Sequence, residues 1–176
     1  MEPVYLRSLE LDDLERTLKW HNDAALYETL TGTFRYVSRA AEEAWLRQKI
    51  AYAPDQVNLA VCLTSDAQHI GNIYLSNVDF LARHAELALF IGESQHRSKG
   101  YGRAAVRLLM KHAYQDLGLR RLYLFVLADN LPAIRVYEKC GFVVEGQLRQ
   151  HVFKNGQLKD LLIMGACSDG SSGPQA

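Results

Sequence analysis

The stretch that most limits what this chain can fold into is Arg97-Ser98-Lys99-Gly100-Tyr101-Gly102. The apolar run Leu87-Ala88-Leu89-Phe90-Ile91 precedes it, and a helical pattern starting near Gly102 follows. In that pattern Val106, Leu109, Met110, Ala113 and Leu117 draw one apolar stripe. The order is therefore strand, glycine loop, helix. Two glycines permit positive φ and let backbone N–H groups approach a ligand. A helix start adds unpaired N–H groups at the positive end of its dipole. With Arg97, Lys99 and Arg103 adding full charges, the loop reads as a cradle for a diphosphate. Taken alone, the same residues also suit a tight strand-to-helix turn with solvated basic side chains.

The rest of the chain reads as one mixed α/β domain over residues 1–167. Val4 to Leu9 alternates as a strand, and Asp12 or Asp13 can cap a helix carrying Leu14, Leu18 and His21. Ala24 to Leu30 reads as a short second helix stopped by Gly32, and Ser38 opens a longer one through Trp45, Leu46, Ile50 and Tyr52. Asn58–Leu63 and Ile70–Leu75 form a hairpin, and Glu86–Ile91 leads into the loop. Leu122 to Leu127 is nearly continuous apolar sequence, as expected of a strand covered on both faces. Pro132–Lys139 is a short helix stopped by Gly141. Phe142–Leu148 and Leu158–Met164 are a last strand pair turned at Asn155-Gly156. Residues 168–176 hold no apolar residue but Ala176 and read as a disordered tail.

Charge and cysteine content narrow the function. Lys plus Arg and Asp plus Glu each number 20, for a net charge of zero, which argues against a general nucleic-acid binder. Cys62, Cys140 and Cys167 are few and far apart, so no disulfide framework is expected, and no Cys/His spacing fits a metal site. The start Met1-Glu2-Pro3-Val4 lacks a signal-peptide pattern, and no apolar run spans a bilayer, so the expected location is cytoplasmic with no membrane partner.

Two further segments turn the loop into a resemblance. Asn130-Leu131-Pro132-Ala133-Ile134-Arg135-Val136-Tyr137-Glu138-Lys139-Cys140-Gly141-Phe142 is similar to the N-x-x-A-x-x-x-Y-x-K-x-G-F segment of the GNAT N-acetyltransferase superfamily, with every fixed position present. The opening from Leu6-Arg7 to Lys19-Trp20-His21-Asn22-Asp23 and the ending from Val144-Glu145-Gly146 through Lys154-Asn155-Gly156 resemble its spermidine, ribosomal-protein N-terminal and amino-sugar acetyltransferases. The resemblance covers roughly residues 4 to 166. It implies an α/β GNAT fold, a mixed, mostly antiparallel sheet of about seven strands flanked by about four helices. It also implies acetyl-CoA as cosubstrate, with no metal. Dimers are common in that branch, so a homodimer is among the expectations.

Acetyl transfer to an amine needs the donor held, the amine deprotonated and the leaving thiolate stabilised. By resemblance, the diphosphate sits on residues 97–103, including Ser98 and Tyr101. The pantetheine arm lies along Leu89-Phe90-Ile91 like an added strand, with Asn130 beside it and Lys139 within reach of a phosphate. Tyr137 is the expected general acid near the sulfur, although its pattern also fits a core tyrosine. Glu86 is the expected base, acting directly or through water, although it also fits a surface ion pair. Trp20, Asn22, Tyr27, Glu28 and Phe34 are candidates for the acceptor pocket, and Trp20 and Phe34 equally suit the core. The expected activity is acetylation of a primary amine on a polyamine, amino sugar or amino-acid derivative. A protein N-terminus is the runner-up acceptor, and a non-catalytic acyl-CoA-binding module is the competing class. A Rossmann enzyme is disfavoured because the loop lacks G-x-G-x-x-G.

Overall fold

The computed structural model describes residues 2–168, so the tail expected over 168–176 lies outside the described residues except for Ser168. β1 (Val4–Ser8) leads through a 3-10 turn into α1 (Leu14–His21), α2 (Ala24–Tyr27) and α3 (Arg39–Ile50). β2 (Val57–Leu63), β3 (His69–Asp79) and β4 (His84–Ile91) follow as a meander. After the glycine loop come α4 (Tyr101–Lys111), β5 (Arg121–Leu127), α5 (Leu131–Glu138), β6 (Val143–Lys154) and β7 (Gln157–Cys167). The sheet has seven strands in the order β1-β2-β3-β4-β5-β7-β6, and every neighbouring pair is antiparallel except β4–β5. The described helices are five α-helices, one more than expected.

Strand periodicity divides the core. Val61 and Leu63 of β2 face one side and join α4 and α5 through Ala105, Leu109, Ile134 and Tyr137. Ala60 and Cys62 face the other and join Leu9, Leu14 and Leu46 under α1 and α3. Successive side chains on a strand point to opposite faces, so one strand serves both layers.

Local chemistry sets most element ends. The Asp23 carboxylate accepts from the Ala25 and Leu26 N–H groups, and Ser38 Oγ accepts from Ala41 N–H, each filling the orphan donors of a helix start. The Asn155-Gly156 turn has positive φ at both residues, 48° and 77°, as a two-residue hairpin turn requires. Asp13 serves differently from a simple cap. Its carboxylate accepts from both Arg7 nitrogens at 2.7 and 2.8 Å, from His69 Nδ1 at 2.9 Å and from Glu10 N–H at 2.9 Å. This 4%-exposed carboxylate therefore ties β1, the start of α1 and β3 together. Burial pushes the Asp13 carboxyl up, but the hydrogen bonds from Arg7 and His69 outweigh it and hold the group far below its ordinary value.

The structure departs from the sequence reading at several elements, and β6 runs to Lys154 and β7 to Cys167, past the expected Leu148 and Met164. α2 stops at Tyr27 instead of reaching Leu30, because Thr29 Oγ1 turns back to Leu26 O. The helix after the loop is α only to Lys111 and finishes as one π turn, His112–Asp116, closed by Leu117 N–H on His112 O. β5 is fully buried on one face only: Leu122, Leu124 and Val126 are covered, whereas Tyr123 and Phe125 are half-buried. Among the described residues, no helix is long and apolar enough to cross a membrane.

Candidate functional site

The site follows from how β4 leaves β5. The two strands pair only at His84–Arg121, Ala85–Leu122 and Glu86–Tyr123. Beyond Glu86, β4 stays paired with β3 through Leu89–Ile73, Phe90–Asn72 and Gly71–Ile91, while β5 follows β7. The strands splay, and the β5-facing edge of β4 loses its ladder partner. A cleft of about 570 Å³ opens there. Its walls are Ala88–Ile91 of β4, Phe125 and Val126 of β5, the glycine loop, the face of α5 that carries Val136 and Tyr137, Tyr74 of β3, and the segment from Leu26 to Gly32.

The loop end is built for anions. Gly100 has φ +87°, and a Cβ placed there would meet nothing within 4 Å, so the backbone conformation, not crowding, calls for glycine. Ser98 also has positive φ, 60°. No side chain caps α4, so its first-turn N–H groups face outward with the helix dipole. Arg97, Ser98, Gly100, Gly102 and Arg103 all line the cleft. Arg97 is partly committed elsewhere: its Nε and Nη2 donate to Ile91 O and Gly92 O, both at 3.0 Å. It thereby fixes the end of β4 against the loop. Lys99, Tyr101 and Lys139 do not line the cleft. Lys99 and Lys139 are exposed, and the Tyr101 ring turns toward His96, 5.9 Å away.

α5 delivers Tyr137 to the cleft. Asn130 caps the helix through Oδ1, which accepts from Ala133 N–H at 3.2 Å, and Pro132 stands in its first turn. Tyr137 lines the cleft although only 7% exposed, with its ring edge-on to Phe142 at 5.8 Å. Burial pushes its phenol up to about 12, so it stays protonated over the working pH range.

The opposite wall is aromatic and faintly acidic. Tyr27 and Tyr74 line it. The Tyr74 hydroxyl oxygen is buried without a hydrogen-bond partner. Behind them lies Glu42, 1% exposed, with Oε2 2.6 Å from His21 Nδ1 and Oε1 buried and unpartnered. Burial first, and then the charge of Glu42, push the Tyr27 phenol above its ordinary value.

Four acceptor-pocket candidates stand elsewhere. Trp20 is 1% exposed, packs edge-on to Phe90 and His69, and donates from Nε1 to Glu93 Oε1 at 3.1 Å. Asn22 bridges α1 to the following loop, donating to Leu18 O and Val37 O and accepting from Val37 N–H. Glu28 accepts from Asn155 Nδ2 at the β6–β7 turn. Phe34, also outside the lining, packs between the rings of Tyr27 and Tyr36. Glu86 is outside the lining as well. It shares a strand face with Ala88, which does line the cleft, and its Oε2 accepts from Asn77 Nδ2 at 3.0 Å. The structure thus gathers Tyr27, Leu89, Phe90, Ile91, Arg97, Ser98, Gly100, Gly102, Arg103, Asn130 and Tyr137 around one cavity. Sequence reasoning missed Tyr74 and the segment after α2.

A splayed parallel strand pair, a glycine loop before a helix start and a buried phenol between them are the frame that an acyl-CoA-dependent transferase needs. Comparison agrees. Residues 4–143 match the acetyltransferase (GNAT) domain family, and the chain belongs to it: it is an acetyl-CoA-dependent N-acetyltransferase. It is similar to the spermidine N(1)-acetyltransferase of Escherichia coli K12, 30% identical over 92% of this chain and 84% of that one. It is also similar to the L-amino acid N-acetyltransferase AaaT of the same strain, 27% identical over 93% and 98% of the two chains. The solved Vibrio cholerae spermidine N-acetyltransferase, in complex with CoA and spermine, superposes with a TM-score of 0.89 at 26% identity, covering 97% of this chain and 98% of that one.

Proposed function

We propose that this enzyme acetylates a primary amine of a small molecule, a polyamine, amino sugar or amino-acid derivative, by direct transfer with Tyr137 as general acid. The observation that carries the reading is the cleft itself. It runs from the anion-binding loop to a buried phenol and is walled on its far side by residues 26–32. Such a wall suits a compact acceptor better than a peptide, and the spermidine and amino-acid relatives act on compact amines. The free edge of β4 at Leu89–Ile91 gives the pantetheine amides backbone partners. The N–H groups of the loop, with Arg103, take the diphosphate.

In the reaction the amine nitrogen bonds to the thioester carbonyl carbon and the carbon–sulfur bond breaks. The electron pair leaves on sulfur and takes the Tyr137 proton. The proton shed by the amine passes to water, and through water to Glu86. The buried charge of Glu42, felt at Tyr27, favours a cationic acceptor on that wall. A homo-oligomer belongs to the same reading, because the Vibrio cholerae relative has a dodecameric structure.

The test is CoA release from acetyl-CoA, followed chromatographically, against polyamines, aminoglycosides, nucleotide-linked amino sugars, free amino acids and short peptides. Saturable turnover with one class of small amine supports the proposal. Turnover confined to peptides with free N-termini would overturn it.

A further inference from the structure

The cleft wall after α2 is irregular chain, yet it is held from three directions. Lys154, the last residue of β6, is 7% exposed. Its ammonium donates to Tyr27 O at 2.8 Å and also to Gly32 O. The two carbonyls bracket the wall, and both residues line the cleft. Between them, Asn130 Nδ2 donates to Thr29 O at 2.9 Å, and Asn155 Nδ2 donates to Glu28 Oε1 at 3.2 Å. A lysine is rarely this buried without a carboxylate partner. Burial and the nearby charge of Lys159 push its ammonium below the ordinary lysine value. Two backbone carbonyls compensate part of that cost, and hydrogen bonds to charged donors are the stronger kind. Of the three residues that make these four bonds, Asn130 is the one that itself lines the cleft. It couples the wall to the start of α5, the helix that carries Tyr137.

We infer that Lys154 is a positioning residue: it clamps residues 27–32 as the acceptor wall and so sets acceptor affinity. The inference rests on the transferase reading above and concerns the acceptor side alone. Loss of the clamp frees the wall without touching the glycine loop or β4, so acetyl-CoA binding should not change. Lys154 lies on the distal hairpin, far in sequence from the wall it holds.

The experiment compares Lys154→Met, which keeps the length of the stem, with Lys154→Arg, which restores a cation. Amide hydrogen exchange, acetyl-CoA calorimetry and steady-state kinetics are run on the full chain. In Lys154→Met we expect faster exchange confined to residues 27–32 and acetyl-CoA affinity within about twofold of wild type. We also expect the acceptor KM to rise by about tenfold with kcat within about threefold. Lys154→Arg should recover most of the KM. Unchanged exchange and KM in a folded Lys154→Met would overturn the inference. So would exchange that rises across the whole sheet with kcat and acetyl-CoA affinity falling together, the mark of a merely structural lysine. If wild type turns over none of the amines tested, exchange and calorimetry still read the clamp. If the clamp fails while wild type acetylates an amine, only this inference falls.

Discussion

Substituting Tyr137 by Phe removes one oxygen from the cleft and nothing else. The ring keeps its edge-on contact with Phe142. Among the described residues none hydrogen-bonds the phenol, so no partner is orphaned by its loss. Stability should therefore change by less than about 1 kcal/mol. The chemical cost should be far larger. A positioned acid supplies about 10²- to 10⁴-fold in rate, or about 3–5 kcal/mol of barrier. Because the thiolate leaves only in the transition state, the loss should fall on kcat and kcat/KM alike, with the acetyl-CoA dissociation constant unchanged. CoA release should be followed chromatographically, because Cys140 is a partly exposed thiol outside any disulfide and would react with a thiol reagent. Burial holds the phenol up to about 12, so wild-type activity should show no loss through Tyr137 ionisation up to about pH 10. A Tyr137→Phe enzyme that keeps the wild-type rate within about threefold would remove Tyr137 from the mechanism.

Two predictions concern the frame that holds the cleft. Asp13→Asn should cost about 2 kcal/mol of unfolding free energy at pH 7, since it takes the charge from hydrogen bonds with Arg7 and His69. The Asp13 carboxyl is held below its unfolded value of about 4. Its contribution is therefore full at neutral pH and lost as the pH falls from about 4 through the folded value. Urea midpoints across that range should fall more steeply for wild type than for the variant. Gly92→Ala would place a Cβ 2.2 Å from the Trp20 ring. It should destabilise by about 1–3 kcal/mol through overpacking, with loss of the near-ultraviolet signal of the indole.

What was legible in the sequence was what is locally encoded. Gly100 needs positive φ, and Asn155-Gly156 makes its own turn. Each names its element without help from the rest of the chain. The loop and α5 could be placed at one cavity only through the family resemblance, which puts Asn130 and Tyr137 beside the coenzyme. The acceptor wall could not. Tyr74 reads like any strand tyrosine until the splay of β4 from β5 opens a space beside it. α2 was extended to Leu30 because Gly32 looks like a stop, whereas the carbonyls of Tyr27 and Gly32 are taken by a lysine 127 and 122 residues away. Trp20 and Asn22 have the right chemistry for a pocket and the wrong neighbours. An indole over Gly92 and an amide between α1 and Val37 are contacts that no periodicity reports. Asp12 or Asp13 suits a cap by sequence, but bonds from Arg7 and His69 set the main role of Asp13.

The fate of the acceptor's proton can be decided by pH. Glu86 stands at the closed end of the splay, where β4 still pairs with β5, and its Oε2 accepts from Asn77 Nδ2. It lies outside the cleft lining, so in the reading proposed above it acts on an ammonium in the cleft through water. An alkyl ammonium has a pKa near 10, so about one molecule in 10³ is free amine at pH 7. A carboxylate that draws the proton away matters most there and least near pH 10, where solvent has already removed it. Glu86→Gln is a clean probe, because the new amide oxygen can still accept from Asn77 and the β3–β4 turn is kept. We predict that it lowers kcat/KM by about 10²-fold at pH 7, narrowing to about threefold near pH 10. Tyr137, protonated to about 12, does not interfere within that window. A deficit that stayed constant with pH would assign Glu86 to electrostatic positioning instead. No deficit at all would leave it as the partner of Asn77 and assign the proton to water alone.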